Sequence, residues 1–322
     1  MPHDECHAAL HGGDGLTDRQ ITNLAASVRQ KLLNLSREQG EVFEYVLNRY
    51  GTERLLYRIS KSQHANQFVL KGAMLFQLWS DQLHRPTRDL DLLGHGEPSP
   101  EKIAKILTEL CELEVDDDGL VFDPESISVE QIKEDDEYEG IRARLTAYLE
   151  NARVNLQVDV GFGDAINPPP QEIDYPTLLD QAAPRIRSYP KETVVAEKFQ
   201  AMVTLGMANS RMKDYFDLWT LATQFEFEGS ILAEAIQATF ERRQTDLPSI
   251  APLALTAEFA ENEGKTKQWN AFLLKGNLKQ KSLSLPDVVE LLNDFLMSPT
   301  RVIIRKEEFK DSWNPLGPWA VG

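Results

Sequence analysis

RPTRDLDLLG, residues 85–94, places two carboxylates inside an apolar run, and this stretch decides the fold. Asp89 and Asp91 alternate with leucines, and side chains that alternate with period two are typical of a β-strand. The pattern predicts a strand whose leucines pack in a core while both aspartates lie on its other face. Because neighbouring carboxylates repel each other unless a cation lies nearby, the pair also indicates a metal site.

A second strand with an acidic end is predicted at RVNLQVDVGFGDAI, residues 153–166. Its apolar and polar residues alternate, and Asp159 ends the polar set just before two glycines that allow a ligand to approach closely. Residues 142–149 are expected to pair beside it as a hairpin. If the strands of Asp89 and Asp159 are neighbours, their carboxylates and that of Asp91 form an oxygen-only set, which suits Mg²⁺ or Mn²⁺. The alternative is that each aspartate is a solvated strand residue.

Candidate phosphate-binding residues lie on either side of a predicted helix, MLFQLWSDQL. Before it, Lys71, Gly72 and Ala73 follow an apolar strand, and a glycine turn that leads into a helix lets backbone N–H groups bind phosphate oxygens. After it, Thr87 offers a hydroxyl and Arg85 a guanidinium. The alternatives are a simple turn and side chains that face water.

Two later helices supply further candidates. Lys198, in KETVVAEKFQAMVTLGM, lies beside the apolar stripe of its helix, and Arg211 and Asp214 open the next helix. A lysine at such a position can bind a triphosphate, and an aspartate can orient or deprotonate an acceptor hydroxyl. The alternative is salt bridging at a helix start, which we expect between Lys213 and Asp217.

The composition is that of a globular protein, with 322 residues of which 42% are hydrophobic and 26% charged. The sequence has neither an apolar run of about 18 residues, which a membrane span needs, nor a signal-peptide pattern. Its two cysteines give no disulfide framework, so a reducing cytoplasm is the expected location. The net charge of −17 argues against a general attraction to nucleic acid. The sequence still allows a local basic surface that binds nucleic acid, because basic residues gather in clusters such as Arg142, Arg144 and Arg153.

Three segments are expected along the chain. Residues 1–17 contain histidines, a cysteine and acidic residues, and we expect a disordered tail there, with metal binding as the alternative. Residues 18–190 are expected to form one domain that begins with helices. A helical C-terminal domain is expected over residues 191–322, after a stretch punctuated by prolines.

Five short motifs follow one another along the chain: KGA, RPTRDLDLL, VDVGFG, EKFQAM and RMKDYFDLWTL. In this order they resemble the AbiEii/AbiGii family of abortive-infection toxins, which are nucleotidyltransferases of type IV toxin–antitoxin systems. The resemblance covers roughly residues 22–300. It implies an α+β fold with a DNA polymerase β-like nucleotidyltransferase core, a small mixed sheet with flanking helices, and a helical C-terminal domain.

The resemblance also implies roles for individual residues. It assigns nucleotide contact to Gly72 and Thr87, metal binding to Asp89 and Asp91, the third acidic position to Asp159, and the later lysine and aspartate to Lys198 and Asp214. Ala73 stands where the family has a second glycine, and fifteen residues separate Ala73 from Asp89, which implies an inserted helix. Neither departure removes a metal ligand, so an active enzyme is expected.

The implied function is the Mg²⁺- or Mn²⁺-dependent transfer of a nucleoside monophosphate from an NTP to an acceptor hydroxyl. The implied acceptor is a tRNA 3′ end, the result is growth arrest, and a cognate antitoxin encoded by a neighbouring gene is the expected partner. Two alternatives stay open. One is the same chemistry on a protein or small molecule, and the other is an inactive fold that binds an NTP or a partner as a scaffold.

Overall fold

The computed structural model describes residues 16–80, 84–134, 138–276, 278, 280 and 282–321. The histidines and the cysteine of the predicted N-terminal tail lie outside the described residues. In the part of the chain that is described, no helix is both long enough and apolar enough to cross a membrane.

A seven-stranded mixed sheet forms the centre of the first part of the chain. Its strands are β1 (Phe68–Lys71), β2 (Asp89–Gly94), β3 (Leu120–Glu134), β4 (Tyr138–Leu149), β5 (Ala152–Phe162), β6 (Gln171–Asp174) and β7 (Arg185–Ser188). Their order is β3-β4-β5-β2-β1-β7-β6. Strand β2 is parallel to β5 and antiparallel to β1, and β4 and β5 form the predicted hairpin. The two predicted acidic strands are therefore confirmed as neighbours.

The helices flank this sheet and dominate the second part of the chain. They are α1 (Leu16–Gln39), α2 (Phe43–Lys61), α3 (Phe76–Trp79), α4 (Pro100–Cys111), α5 (Lys191–Leu205), α6 (Met212–Gln224), α7 (Gly229–Arg242), α8 (Ala257–Ala260), α9 (Glu263–Lys275) and α10 (Leu285–Arg305). The mixed sheet with many helices confirms the α+β class, while the DNA polymerase β-like core stays an expectation.

Two elements differ from the predicted pattern. The helix expected for MLFQLWSDQL is a 3₁₀ turn, Gly72–Leu75, followed by the four-residue α3, and the chain then leaves the helix. The second difference is a small antiparallel sheet, β10-β9-β8, in the C-terminal region that was predicted to be helical. Its strands are β8 (Phe227–Glu228), β9 (Asp311–Trp313) and β10 (Trp319–Val321).

The small sheet is held by a buried tryptophan. Trp313 is 1% exposed, and its indole nitrogen donates a hydrogen bond of 2.7 Å to the carbonyl oxygen of Ala222. Its ring also packs against Phe295 of α10 at 4.9 Å between centroids. Burial of this large ring, with its N–H hydrogen-bonded, stabilises a strand at Trp313 in place of the helical structure predicted for this region.

Helix α2 packs on one face of the large sheet because a glycine allows close approach. A side chain at Gly51 would begin 2.8 Å from Val154 of β5, and Asn48 donates a hydrogen bond of 2.8 Å to the carbonyl oxygen of Asn155. The buried valines and leucine of β5 face this helix layer, and the polar residues between them lie on the opposite face. This opposite face carries the aspartates.

The predicted boundary near residue 190 coincides with the start of α5 at Lys191. Buried apolar residues on both sides of this point belong to one continuous hydrophobic cluster. The division into a domain of residues 18–190 and a helical domain of residues 191–322 stays a prediction.

Candidate active site

The register of β2 and β5 brings the three predicted carboxylates to one face of the sheet. Asp91 pairs with Asp159, and Asp89 pairs with Gln157. Both aspartates of β2 are half-buried, and the leucines between and after them are buried. The strand alternation predicted from DLDLL is confirmed, and the convergence of the carboxylates follows from it.

Gly72 allows Asp91 to lie against the backbone of the turn after β1. Its φ of 77° is in the left-handed region that favours glycine. A Cβ atom at this position would be 2.0 Å from Oδ2 of Asp91. Since no side chain fits in that space, the glycine is required by the carboxylate as well as by the turn. Ala73 follows it as a buried residue of the 3₁₀ turn.

Asp159 is paired with an arginine through both of its carboxylate oxygens. The Nε and Nη2 atoms of Arg142 on β4 donate to its two oxygens at 2.8 and 2.7 Å. In the described part of the chain, no group of three or more His, Cys, Asp or Glu side chains is arranged to hold a metal ion. The predicted role of Asp159 as a third metal ligand stays a prediction, and both of its oxygens are bonded to Arg142 in this structure.

Asp89 and Asp91 have the chemistry that a hard divalent cation requires. Burial raises the pKa of Asp89 above its ordinary value, and the nearby charge of Asp159 raises it further. A divalent cation bound at Asp89 would relieve the repulsion between Asp89 and Asp159. Two carboxylates fit Mg²⁺ or Mn²⁺, because Mg²⁺ usually takes only one or two protein carboxylates and completes its shell with water and substrate phosphates.

A cleft lined mainly by charged side chains opens beside Asp91. The structure brings eight of the predicted site residues into its wall: Lys71, Gly72, Ala73, Arg85, Asp91, Lys198, Arg211 and Asp214. The other three, Asp89, Asp159 and Thr87, are not part of this lining, and the hydroxyl of Thr87 lies 3.5 Å from the carbonyl oxygen of Asp89. The cleft therefore joins residues from β1, the loop before β2, α5 and α6, which are far apart in the sequence.

Lys198 is held in this wall by two buried aspartates. Its Nζ lies 2.5 Å from Oδ1 of Asp214 and 3.0 Å from Oδ2 of Asp217. Burial alone would lower the pKa of Lys198, but the two carboxylates outweigh it and raise the pKa above its ordinary value. The lysine therefore carries a full positive charge at neutral pH.

Asp214 forms ion pairs with two cations, Lys198 and Arg211. Its other oxygen lies 2.8 Å from Nε of Arg211. Burial alone would raise the pKa of Asp214, but Lys198 and then Arg211 outweigh it and hold the pKa below its ordinary value. A carboxylate with a lowered pKa is a weak base, so this geometry favours a role in holding Lys198 over the predicted role as a base.

Asp217 connects α6 to the loop before β2. It is fully buried and accepts hydrogen bonds from Nε and Nη2 of Arg85 at 2.7 and 2.8 Å. The Nε2 atom of His84 lies 2.7 Å from the same carboxylate. The salt bridge expected between Lys213 and Asp217 is not the arrangement found, since Lys213 is exposed on the cleft wall while Asp217 bonds these inner partners.

A second ion-pair cluster lines the opposite side of the cleft. Nζ of Lys71 lies 3.1 Å from Asp164, and Nη2 of Arg243 lies 2.9 Å from the other oxygen of that carboxylate. Sequence reasoning missed both Asp164 and the second cation that pairs with it, Arg243. Asp164 directly follows the VDVGFG motif and could have been considered together with it. Arg243 directly follows α7, and no sequence spacing relates it to the strands.

Comparison with known proteins identifies a family for this chain. The family described as "Nucleotidyl transferase AbiEii toxin, Type IV TA system" matches residues 54–294, which is more than half of the chain. Among solved structures, a candidate nucleotidyltransferase from H. pylori aligns with a TM-score of 0.47 at 15% identity over 81% of this chain and 96% of that chain. JHP933 from Helicobacter pylori aligns with a TM-score of 0.45 at 15% identity over 81% and 92%. Curated proteins gave no match.

The family match gives the class of protein, which is a nucleotidyltransferase enzyme. More closely, the chain belongs to the AbiEii nucleotidyltransferase toxin family of type IV toxin–antitoxin systems. Membership of this family implies an NTP substrate and an antitoxin partner.

Proposed function

We propose that the protein transfers a nucleoside monophosphate from an NTP to a hydroxyl of an RNA acceptor, a tRNA 3′ end, and so arrests growth. The observation that carries this proposal is the position of Asp89 and Asp91 on one strand face beside a cationic cleft. A cognate antitoxin from a neighbouring gene would restrain the activity in the cytoplasm.

The chemistry is a single displacement at the α-phosphorus of the NTP. The acceptor oxygen forms a bond to that phosphorus, the bond to the bridging oxygen of the β-phosphate breaks, and pyrophosphate leaves with the electron pair. The hydroxyl proton passes to water. Catalysis of phosphoryl transfer of this kind depends mainly on positioning and on neutralising the charge of the phosphates.

Residues of the cleft and of the adjoining strand β2 divide these tasks. Asp89 and Asp91 would hold Mg²⁺ or Mn²⁺, which when bound supplies positive charge beside the reacting phosphate. Lys198 and Arg85 would bind the leaving phosphates, since both cations line the cleft and are fixed there by Asp217. Fixed cations act without reorganisation when charge develops on the leaving group.

The two alternatives are acceptors of another class and an inactive scaffold. The same cleft serves a protein or small-molecule acceptor equally well, because the groups described so far contact only the NTP. The scaffold alternative is disfavoured by Asp89 and Asp91, since two half-buried carboxylates on one strand face have no packing role that asparagines would not fill better.

An incubation with each α-phosphate-labelled NTP, Mg²⁺, total RNA and total protein tests the proposal. Label is expected in tRNA with the wild type and is expected to be lost with Asp91→Asn. Asp174→Asn is the matched control, because Asp174 is an exposed strand carboxylate on β6, away from the cleft. Label in protein or small molecules would support the alternative acceptors, and binding of NTP without any transfer would support the scaffold.

Growth on expression gives an independent readout. Cells that express the wild type are expected to stop growing, and cells that express Asp91→Asn are expected to grow as the uninduced culture does. Equal growth of the two cultures at equal protein levels would contradict the toxic activity.

A further inference from the structure

A second groove crosses the open face of the sheet on the other side of the strand carboxylates. It is lined mainly by polar residues of β2, β3, β4, β5 and the loop before β2. Those that carry the argument are Arg88, Asp89, Arg144, Arg153, Asn155 and Gln157. Among the described residues that line it are three arginines and one carboxylate, and two of the arginines are paired with exposed glutamates that are not part of the lining, Glu44 and Glu130.

The charged cleft and the second groove adjoin at β2. Asp91 lines the charged cleft and Asp89 lines the groove, and the two residues are one strand repeat apart on the same face. Nucleotidyl transfer needs the attacking oxygen and the leaving oxygen roughly in line on opposite sides of the phosphorus. With the triphosphate in the cleft beside Asp91, the attacking hydroxyl arrives from the side of Asp89.

We propose that this groove binds the acceptor, and that the acceptor is a single-stranded phosphodiester chain whose phosphates are bound by Arg88, Arg144 and Arg153. The inference rests on the proposed function and adds the surface and the residues that select the acceptor. Arginine suits the role because its planar guanidinium donates two parallel hydrogen bonds to a phosphate. In the strand register Gln157 lies between Arg144 of β4 and Asp89 of β2, and Asn155 lies on β5 between Gln157 and Arg153. There they can bind sugar hydroxyls and base edges of the chain near its reacting end.

The arginines of the groove are available for exchange of partners. Arg88 lies 3.3 Å from Glu44 and Arg144 lies 2.7 Å from Glu130, and about half or more of each of these four side chains is exposed. Exposed ion pairs are weak and are screened by salt, so a phosphate can replace the glutamate. Arg142 is different, because its pair with Asp159 is more buried and uses both carboxylate oxygens.

The double variant Arg144→Gln/Arg153→Gln tests the inference through the kinetics of transfer to RNA. The KM for the RNA acceptor is expected to rise at least about tenfold, because charge-assisted contacts are lost, while the KM for the NTP stays unchanged. The slope of log KM for RNA against log salt concentration is expected to fall by about 0.7 for each arginine removed.

Arg185→Gln is the matched control. Arg185 is an exposed strand arginine that pairs with Glu172 across β6 and β7 at 3.1 Å, as Arg144 pairs with Glu130 across β3 and β4. It lies outside both openings. Thermal unfolding of all variants shows whether each is folded, and equal effects of the control and the double variant on the KM for RNA overturn the inference while leaving the proposed function intact.

Direct binding separates this inference from the transfer activity. Fluorescence anisotropy of a labelled single-stranded oligoribonucleotide, measured without NTP, is expected to show binding by the wild type and by Arg185→Gln and weaker binding by the double variant. If the wild type transfers nothing, loss of this binding in the double variant still supports the groove. A wild type that labels only proteins or small molecules without phosphodiesters overturns the inference.

Discussion

Asp217 on α6 binds Arg85 through both carboxylate oxygens, at 2.7 and 2.8 Å. Arg85 lies four residues before Asp89, the first aspartate of β2. The carboxylate of Asp217 is also bonded to Lys198 on α5. One fully buried side chain therefore sets the position of two cleft cations relative to the carboxylates of β2. The relationship makes Asp217 a positioning residue for the proposed nucleotide site.

Asp217→Asn is expected to lower kcat/KM for the NTP about 100-fold, because a small displacement of positioning groups has effects of this size. The substitution also breaks a buried ion pair, which destabilises by about 3 kcal/mol and lowers the melting temperature by about 5 °C. Asp118→Asn is the control, since Asp118 forms a buried pair with Arg58 at 2.5 Å outside the cleft. Its melting temperature is expected to fall similarly, with kcat/KM within about twofold of the wild type. Equal losses of activity in the two variants would show that Asp217 acts through stability alone.

The ionisation of Asp217 also makes the stability of the protein depend on pH in a predictable direction. Burial would raise the pKa of Asp217, but Arg85 and Lys198 outweigh it and hold the pKa well below its ordinary value. A carboxyl group in the unfolded chain titrates near about 3.9, so the stabilisation is complete well above that pH and is lost as the pH falls below it. The difference in unfolding free energy between the wild type and Asp217→Asn is expected to be constant from about pH 6 to 8. It is expected to shrink under acid conditions, and a difference that grows on acidification would contradict the assignment.

Gly72→Ala is expected to remove most activity by displacing Asp91. The new Cβ would overlap with Oδ2 of that carboxylate, and the backbone would also be strained at a φ of 77°. Gly40→Ala provides a control for the strain alone, because Gly40 has a φ of 66° and no atom within 4 Å of the added Cβ. Transfer by Gly72→Ala is expected to fall about 100-fold. Transfer by Gly40→Ala is expected to stay near the wild-type rate, and a similar rate for both variants would argue against the contact with Asp91.

Because the pKa of Asp89 is raised, the pH profile of activity is expected to have an acidic limb, in which activity falls as the pH drops. The pH at which this limb occurs is expected to depend on the metal concentration. Metal binds the deprotonated carboxylate, so activity is expected to fall as the pH drops through a value above the ordinary pKa of an aspartate, about 3.9. Raising the Mg²⁺ concentration is expected to move this limb to lower pH, because bound cation favours the charged form. A limb that stays in place from micromolar to millimolar Mg²⁺ would contradict metal binding at Asp89.

Arg142 is expected to influence the same limb through Asp159. Replacing Arg142 with glutamine leaves the charge of Asp159 uncompensated beside Asp89, and Arg142 itself lowers the pKa of Asp89 in the wild type. The acidic limb of Arg142→Gln is expected to lie at higher pH than that of the wild type. Asp159→Asn is expected to move it the other way. Asp159→Asn should also retain more activity at neutral pH than Asp91→Asn, and an equal loss in the two would favour Asp159 as a metal ligand.

The strands of the site could be predicted from the sequence because their pattern is local. Asp89 and Asp159 lie in runs where apolar and polar residues alternate, and alternation with period two reports directly on the two faces of a strand. Convergence of the carboxylates was expected only if the strands of Asp89 and Asp159 were neighbours. The register that places Asp91 opposite Asp159 depends on long-range strand pairing, which the sequence does not show.

The partners of the cleft residues were harder to predict because they depend on packing between distant segments. Lys213 and Asp217 have the spacing of a helical ion pair, but Asp217 faces the interior, where Arg85 satisfies it better. Arg142 was assigned only to a basic cluster, and its pairing with Asp159 follows from the strand register of β4 and β5. The small sheet around Trp313 arises from burial of aromatic rings, which helical periodicity does not report.

The aromatic contacts between the two halves of the chain bear on how the molecule unfolds. Trp79 of α3 packs against Phe225 at 6.3 Å between ring centroids, and His84 packs against Phe216 at 5.2 Å. Since Trp79, Phe216 and Phe225 belong to or pack against one continuous core, a chain cut near residue 190 would expose apolar surface on both fragments. Denaturation is therefore expected to be a single cooperative transition, and neither fragment is expected to fold when it is expressed alone.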